Sequence, residues 1–184
     1  SWLDSSNLEL NFSVLPETNN LLALDFVISE AFDSHGNLQV SSISTGLIWH
    51  DMKSPSIASI TANKPIISDS LVGLNNYYID IEFDEDMDTL IQPLASHSAA
   101  QIVSNSIQNN LPESYFIDST HYRAYYEVLD ENIEIDPVYF GVELAADFAG
   151  NPQVSFIDSN FISIDTKNPS VTGVYASDYT LDQN

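Results

Sequence analysis

The sequence predicts an all-β protein made of sandwich domains joined head to tail. Three observations predict it. Apolar and polar residues alternate with period two over several segments, and helix-period patterns are scarce. Polar turns separate these segments at short intervals. Residues 1–70 recur, without a gap, as residues 115–184.

Gly36-Asn37 and Gly150-Asn151 set the frame of that recurrence, at an offset of 114 residues. The same offset pairs Phe26 with Phe140, Asp33 with Asp147, and Gln39-Val40 with Gln153-Val154. It also pairs Asp51, Lys53, Pro55 and Ser56 with Asp165, Lys167, Pro169 and Ser170. A period this long indicates whole domains in tandem, not a solenoid of short units. It divides the chain into the C-terminal part of one repeat (1–50), a complete repeat (51–164) and the first strand of a following repeat (165–184).

The complete repeat opens with a strand at Ile57–Ala62, just past Pro55. Next, Tyr77, Ile79, Ile81 and Phe83 alternate with Tyr78, Asp80 and Glu82, which puts one face in a core and one in water. Between Asp88 and Ser119 the pattern weakens. Residues 92–97 and 101–104 read as short strands, with a short helix as the alternative for part of the stretch. Asn109-Asn110-Leu111-Pro112 reads as a turn. Tyr122, Ala124, Tyr126 and Val128 then point inward, and Leu8, Leu10, Phe12 and Val14 keep the same phase in the preceding copy. Val138, Phe140, Val142 and Leu144 form another inward set, matched by Leu24, Phe26 and Ile28. A last strand spans 156–164. The phase is strict because a one-residue slip turns every inward side chain out. About seven strands per repeat, and no disulfide, give the profile of an immunoglobulin-like β-sandwich.

Composition narrows the function. A 114-residue unit is long enough to bury a core without cross-links, and 43% hydrophobic content excludes compositional disorder. The net charge is −23, with only Lys53, Lys64, Arg123 and Lys167 basic. That weighs against nucleic acid and anionic membranes as partners, and favours solubility and cation binding. Without cysteine there is no thiolate metal site. No apolar run approaches the roughly 20 residues that span a bilayer, so no membrane insertion is expected. The sequon Asn11-Phe12-Ser13 falls in a predicted strand and carries little weight.

Enzymatic chemistry is not expected. His35, His50, His97 and His121 lack metal-ligand spacing, and no nucleophile elbow occurs. Paired carboxylates can hydrolyse glycosides, but here they fall in loops that the repeat explains. Trp2 aligns with Phe116, and Trp49 lies on a last strand, so both read as packing residues. Tyr125 points outward and keeps a sugar-stacking face open.

Four features in order resemble the bacterial immunoglobulin-like repeats of large surface adhesins and other secreted multidomain proteins. Asp51-x-Lys53-x-Pro55-Ser56-Ile57 resembles the family's linker and first strand. Phe83-Asp84-Glu85-Asp86-Met87-Asp88-Thr89 resembles its Phe-Ser-Glu-x-Met-Asp-Thr segment, with Asp84 where Ser is usual. The Tyr-rich run 122–129 and the turn Asp147-Phe148-Ala149-Gly150-Asn151 follow in register. The resemblance covers essentially the whole chain. It implies an extracellular, non-enzymatic rod, secreted or on a bacterial cell surface. The partners it implies are neighbouring repeats of the same chain.

In a seven-strand sandwich alternate connections lie at opposite poles. The linker Asp51-Met52-Lys53 enters at one pole. The second strand ends there with Asp84, Glu85, Asp86 and Asp88, and the sixth brings Asp147 and Asn151. The preceding copy faces this pole with the loop holding Glu17. The next junction would gather Asp130, Glu131, Glu134, Asp136 and Asp165. Two carboxylates about 5 Å apart repel by about 3 kcal/mol at an effective dielectric near 20. Calcium, which takes six to eight oxygens at about 2.3–2.6 Å, would relieve that repulsion and fix two domains relative to each other. The expected ligands are Glu17, Asp51, Asp84, Asp86, Asp88 and Asp147, with Asp165 at the next junction; Asp51 and Asp86 lead. Plain solvation of acidic loops is the alternative. Asp33-Ser34-His35-Gly36-Asn37 has calcium-loop character, but a turn needing φ > 0 at Gly36 explains it better.

The function expected is an adhesin-like stalk or spacer. A subunit of a self-assembling surface layer or filament, pairing with neighbouring copies, is the second reading. A carbohydrate-binding module is the third.

Overall fold

The structure is a computed structural model that describes residues 1–13, 22–98 and 100–175. It is all-β. Strands β1 (Leu22–Ile28) and β2 (Ser42–His50) form a two-stranded antiparallel sheet. The sandwich follows with β3 (Ile57–Ala62), β4 (Ile66–Ser68), β5 (Gly73–Phe83) and β6 (Leu94–His97). It continues with helix α1 (Gln101–Ser106), β7 (Ile107–Asn109), β8 (Tyr115–Phe116), β9 (His121–Val128), β10 (Glu134–Glu143) and β11 (Phe156–Asp165). One sheet runs β3-β5-β9-β7, with β8 also on β9, and the other runs β4-β11-β10-β6. All pairs are antiparallel except β4 with β11.

The alternation read from the sequence is the packing of these sheets. Tyr77, Ile79, Ile81 and Phe83 of β5 and Tyr122, Ala124, Tyr126 and Val128 of β9 are buried from one side. Val138, Phe140 and Val142 of β10 and Ile162 and Ile164 of β11 meet them from the other. Tyr126 joins the layers: its ring lies edge-on to Phe140 at 6.2 Å, and its hydroxyl donates to the Ala95 carbonyl of β6 at 3.4 Å. Burial of several large aromatic side chains dominates such a core.

Several expectations are corrected. Residues 101–104, expected as a strand, begin α1, where Val103 and Ser106 are buried at helical spacing and seat one helical face. Leu144, expected inward, is exposed: β10 ends at Glu143, and Leu144 has φ 69°, which turns the chain away. Leu8, Leu10 and Phe12 are exposed and make no strand beyond the bridge Trp2–Leu8. Val14 lies outside the described residues. Trp2 and Trp49 are exposed, not packed. Strands β4 and β8 were not foreseen. Among the described residues no helix is long and apolar enough to cross a membrane.

These burials separate two otherwise similar substitutions. Phe140→Ala is expected to lose about 3–5 kcal/mol of stability, the usual result of emptying a buried aromatic site. Leu24→Ala, on the exposed sheet, is expected to stay within about 0.5 kcal/mol. Urea unfolding of both variants checks the difference.

Candidate functional site

Three loops converge at one end of the sandwich. They are the β2–β3 linker, the connection after β5 and the connection after β10. Their carboxylates Asp51, Glu85 and Asp147 bring ligand atoms within 4.8 Å of one another. These residues floor a cleft of about 710 Å³, flanked by Trp49 and Phe148 and also lined by Lys53, Asp84 and Asp86.

Asp147 is held by its own turn. Its Oδ1 accepts the Asn151 backbone N–H at 2.8 Å and its Oδ2 accepts Asn151 Nδ2 at 2.8 Å. Gly150 takes φ 86° to close that turn, a conformation that glycine adopts without a Cβ clash. Asn151 Nδ2 also donates to the Asp51 carbonyl at 3.2 Å, which ties the linker to the β10–β11 turn. Asp147 is buried, and these donors supply its hydrogen bonds.

The other acids divide by their partners. Asp84 accepts the Ser56 N–H at 2.7 Å and the Ser56 hydroxyl at 3.0 Å, and lies 2.8 Å from Lys53 Nζ. Burial pulls the Asp84 carboxyl up, but Lys53 and Ser56 together outweigh it and hold it below its usual range. Asp86 accepts the Ser119 hydroxyl. Asp88 turns to its own loop, where Oδ1 accepts the Leu90 N–H at 3.0 Å. Asp165 lies at the other end of β10, opposite Glu134, and accepts the Lys167 N–H at 3.2 Å. Glu17 lies outside the described residues. The tight group therefore contains Glu85, which was placed at this pole but not among the expected ligands. Its neighbour Asp86, one of the two leading candidates, lines the cleft outside that group. No alternation extends past Phe83 to tell which of two adjacent acids turns in.

Electrostatically the cleft is unbalanced. Among the described residues Lys53 is the one cation lining it, 3.2 Å from Glu85 Oε1. Burial raises the Glu85 carboxyl above its usual range, opposed by Lys53 and reinforced by the charges of Asp51 and Asp84. A small hard cation reaching three oxygen donors here would remove repulsion of about 3 kcal/mol for each close carboxylate pair.

Tyr125 does face outward. Its ring lies edge-on to Tyr78 at 5.7 Å, and Tyr115 is 6.3 Å away. The Arg123 guanidinium, paired with Asp80 at 2.7 and 2.8 Å, covers the Tyr78 ring at 4.0 Å. These side chains thus contact one another across the outer sheet face, with Tyr115 still exposed. The turn at Asp33 repeats the turn at Asp147, with Asn37 N–H and Nδ2 donating to Asp33 at 2.9 and 2.7 Å and Gly36 at φ 83°.

The Glu85 shift has a definite sign. A carboxyl held high in the fold binds its proton more tightly folded than unfolded, so it favours the fold on the acid side and costs stability as pH rises through its folded pKa. Glu85→Gln is therefore expected to raise Tm at pH 7 in chelator, with the gain closing as pH falls below about 4.3, the ordinary glutamate value. A Tm at pH 7 equal to or below that of the parent would show that Lys53 outweighs burial.

No family model matches this chain, and no curated protein or solved structure matches it.

Proposed function

We propose that the chain is a spacer segment of an extracellular tandem array, resembling the immunoglobulin-like repeats of bacterial adhesins, and that calcium stiffens its junctions. One observation carries the reading: the acidic cleft lies where the linker meets the sandwich, with Asp51 of the linker facing Glu85 and Asp147 of the domain loops. A cation held there takes ligands from both, and it would suppress bending at the one covalent connection between units. Calcium suits a site of carboxylate oxygens on loops better than a softer metal does.

The agreement between segments 114 residues apart supports the array. In β1–β2, Leu24 pairs with Ile48 and Phe26 with Ser44, with a register shift between. In β10–β11, Val138 pairs with Ile162 and Phe140 with Asp158, with the same shift. Glu30 and Leu144 carry positive φ at matching positions. On this reading the chain has no catalytic role, and its partners are neighbouring domains of its own polypeptide. A self-assembling surface layer or filament is the second reading, favoured by the exposed apolar residues of 1–50.

Calcium at millimolar concentration is expected to raise Tm by a few degrees over chelator and to lengthen the particle in small-angle scattering. Identical Tm and dimensions in both conditions would remove calcium from the proposal. Regular polymers in place of an extended monomer would replace the stalk with the assembling layer.

A further inference from the structure

Residues 1–50 present an apolar face that no described segment covers. Phe12 is 62% exposed and Leu24 and Ile48 are 43% exposed. Their counterparts at the 114-residue offset, Tyr126, Val138 and Ile162, are 0%, 0% and 4% exposed. The local geometry is the same in both places. Phe12 meets Phe26 edge-on at 5.1 Å, as Tyr126 meets Phe140 at 6.2 Å. Trp2 bridges Leu8, as Phe116 pairs with Tyr122.

The chain itself displays what covers such a face. Over 115–165 the cover is the stretch 57–109. There β5 lies antiparallel on β9 and turns Ile79, Ile81 and Phe83 inward. Strand β4 lies parallel beside β11, and β6 lies antiparallel beside β10. Strands β1 and β2 have only each other, so both outer edges are unpaired among the described residues.

We infer that residues 1–50 are the acceptor half of a sandwich, and that their occupant is a polypeptide stretch with the strand pattern of 57–109. That stretch comes from the same polypeptide outside residues 1–184. A long strand with alternating apolar residues lies over Leu8, Leu10 and Phe12. A short parallel strand extends β2, and a short antiparallel strand extends β1. A second copy of residues 1–184 does not serve. It holds one covering stretch and two acceptor halves, so lending 57–109 uncovers its own Tyr126 and Phe140. The number of bare faces stays the same. The inference rests on the tandem reading but not on calcium.

The test joins residues 51–114 ahead of Ser1, so that the new junction repeats the 114–115 junction of the chain. Hydrogen exchange is measured on this extended chain and on 1–184. In 1–184 the amides of β1 and β2 are expected to exchange fast and the protein to bind a hydrophobic dye. In the extended chain those amides slow by more than about tenfold and dye binding falls. Ile48→Asp leaves the Tm of 1–184 unchanged and lowers that of the extended chain by several degrees. Slow exchange of β1 and β2 in monomeric 1–184 overturns the inference, because the face is then already covered. Protection that appears with dimerisation of 1–184 overturns it in favour of a second copy. An extended chain whose β1 and β2 still exchange fast overturns the choice of occupant. These readouts are made in chelator, so loss of the calcium effect leaves them unchanged.

Discussion

A strand that alternates apolar and polar residues must have its apolar face covered. In this protein the cover comes from a different stretch of chain than the face. Residues 57–109 supply most of one side of the sandwich, and 115–165 supply β10 and β11 of the other together with β9. Tyr126 stands where the halves meet, touching Tyr77, Phe140 and the Ala95 carbonyl. Everything at the ends of the sandwich follows from that closure. The chain must leave β5 and β10 at the same pole, so Glu85 and Asp147 are brought together by topology and not by any affinity between them.

Like charges so placed act against the fold. The structure answers part of the repulsion internally. Ser56 and Lys53 take up Asp84, Ser119 takes up Asp86, and Asn151 takes up Asp147. Glu85 is answered least: burial holds it above its normal pKa although Lys53 lies 3.2 Å away. Even one close carboxylate contact, at about 3 kcal/mol, would be a large share of a stability of about 5–15 kcal/mol. Acids gathered within reach of one point could hold a cation, whereas acids spread along a strand would not meet at one point.

Strands with five or more alternating residues were legible in the sequence, because period two admits one placement of the apolar face. β5, β9 and β10 fall where that pattern put them, whereas Leu8, Leu10 and Phe12 alternate without making a strand. Strands β4 and β8 have three and two residues, too few to show a period. Helix α1 was ambiguous because six residues hold barely two helical turns, and the burial of Val103 decides it only through tertiary contact. For Leu144, the expectation extended an alternation past the point where the backbone turns left-handed, which side-chain type does not announce. At the site, topology was readable and rotation was not. Asp51, Asp84, Asp86 and Asp147 do line one cleft, but Asp88 had been grouped with them and instead caps its own turn. Adjacent acids in a loop carry no period that says which points inward.

The duplicated turn separates fold from function. Asp33 and Asp147 each accept the backbone and side-chain N–H of an asparagine four residues on, and each turn closes on a glycine at positive φ. Asp33 is exposed and has no carboxylate cluster about it among the described residues, whereas Asp147 is buried beside Asp51 and Glu85. The hydrogen bonds that shape the turn are thus the same with and without a cation-binding arrangement. The asparagine's job is to close the β-hairpin. Any affinity for a metal is added by the linker and by the loop after β5, and it arises where a second stretch of chain completes the sandwich.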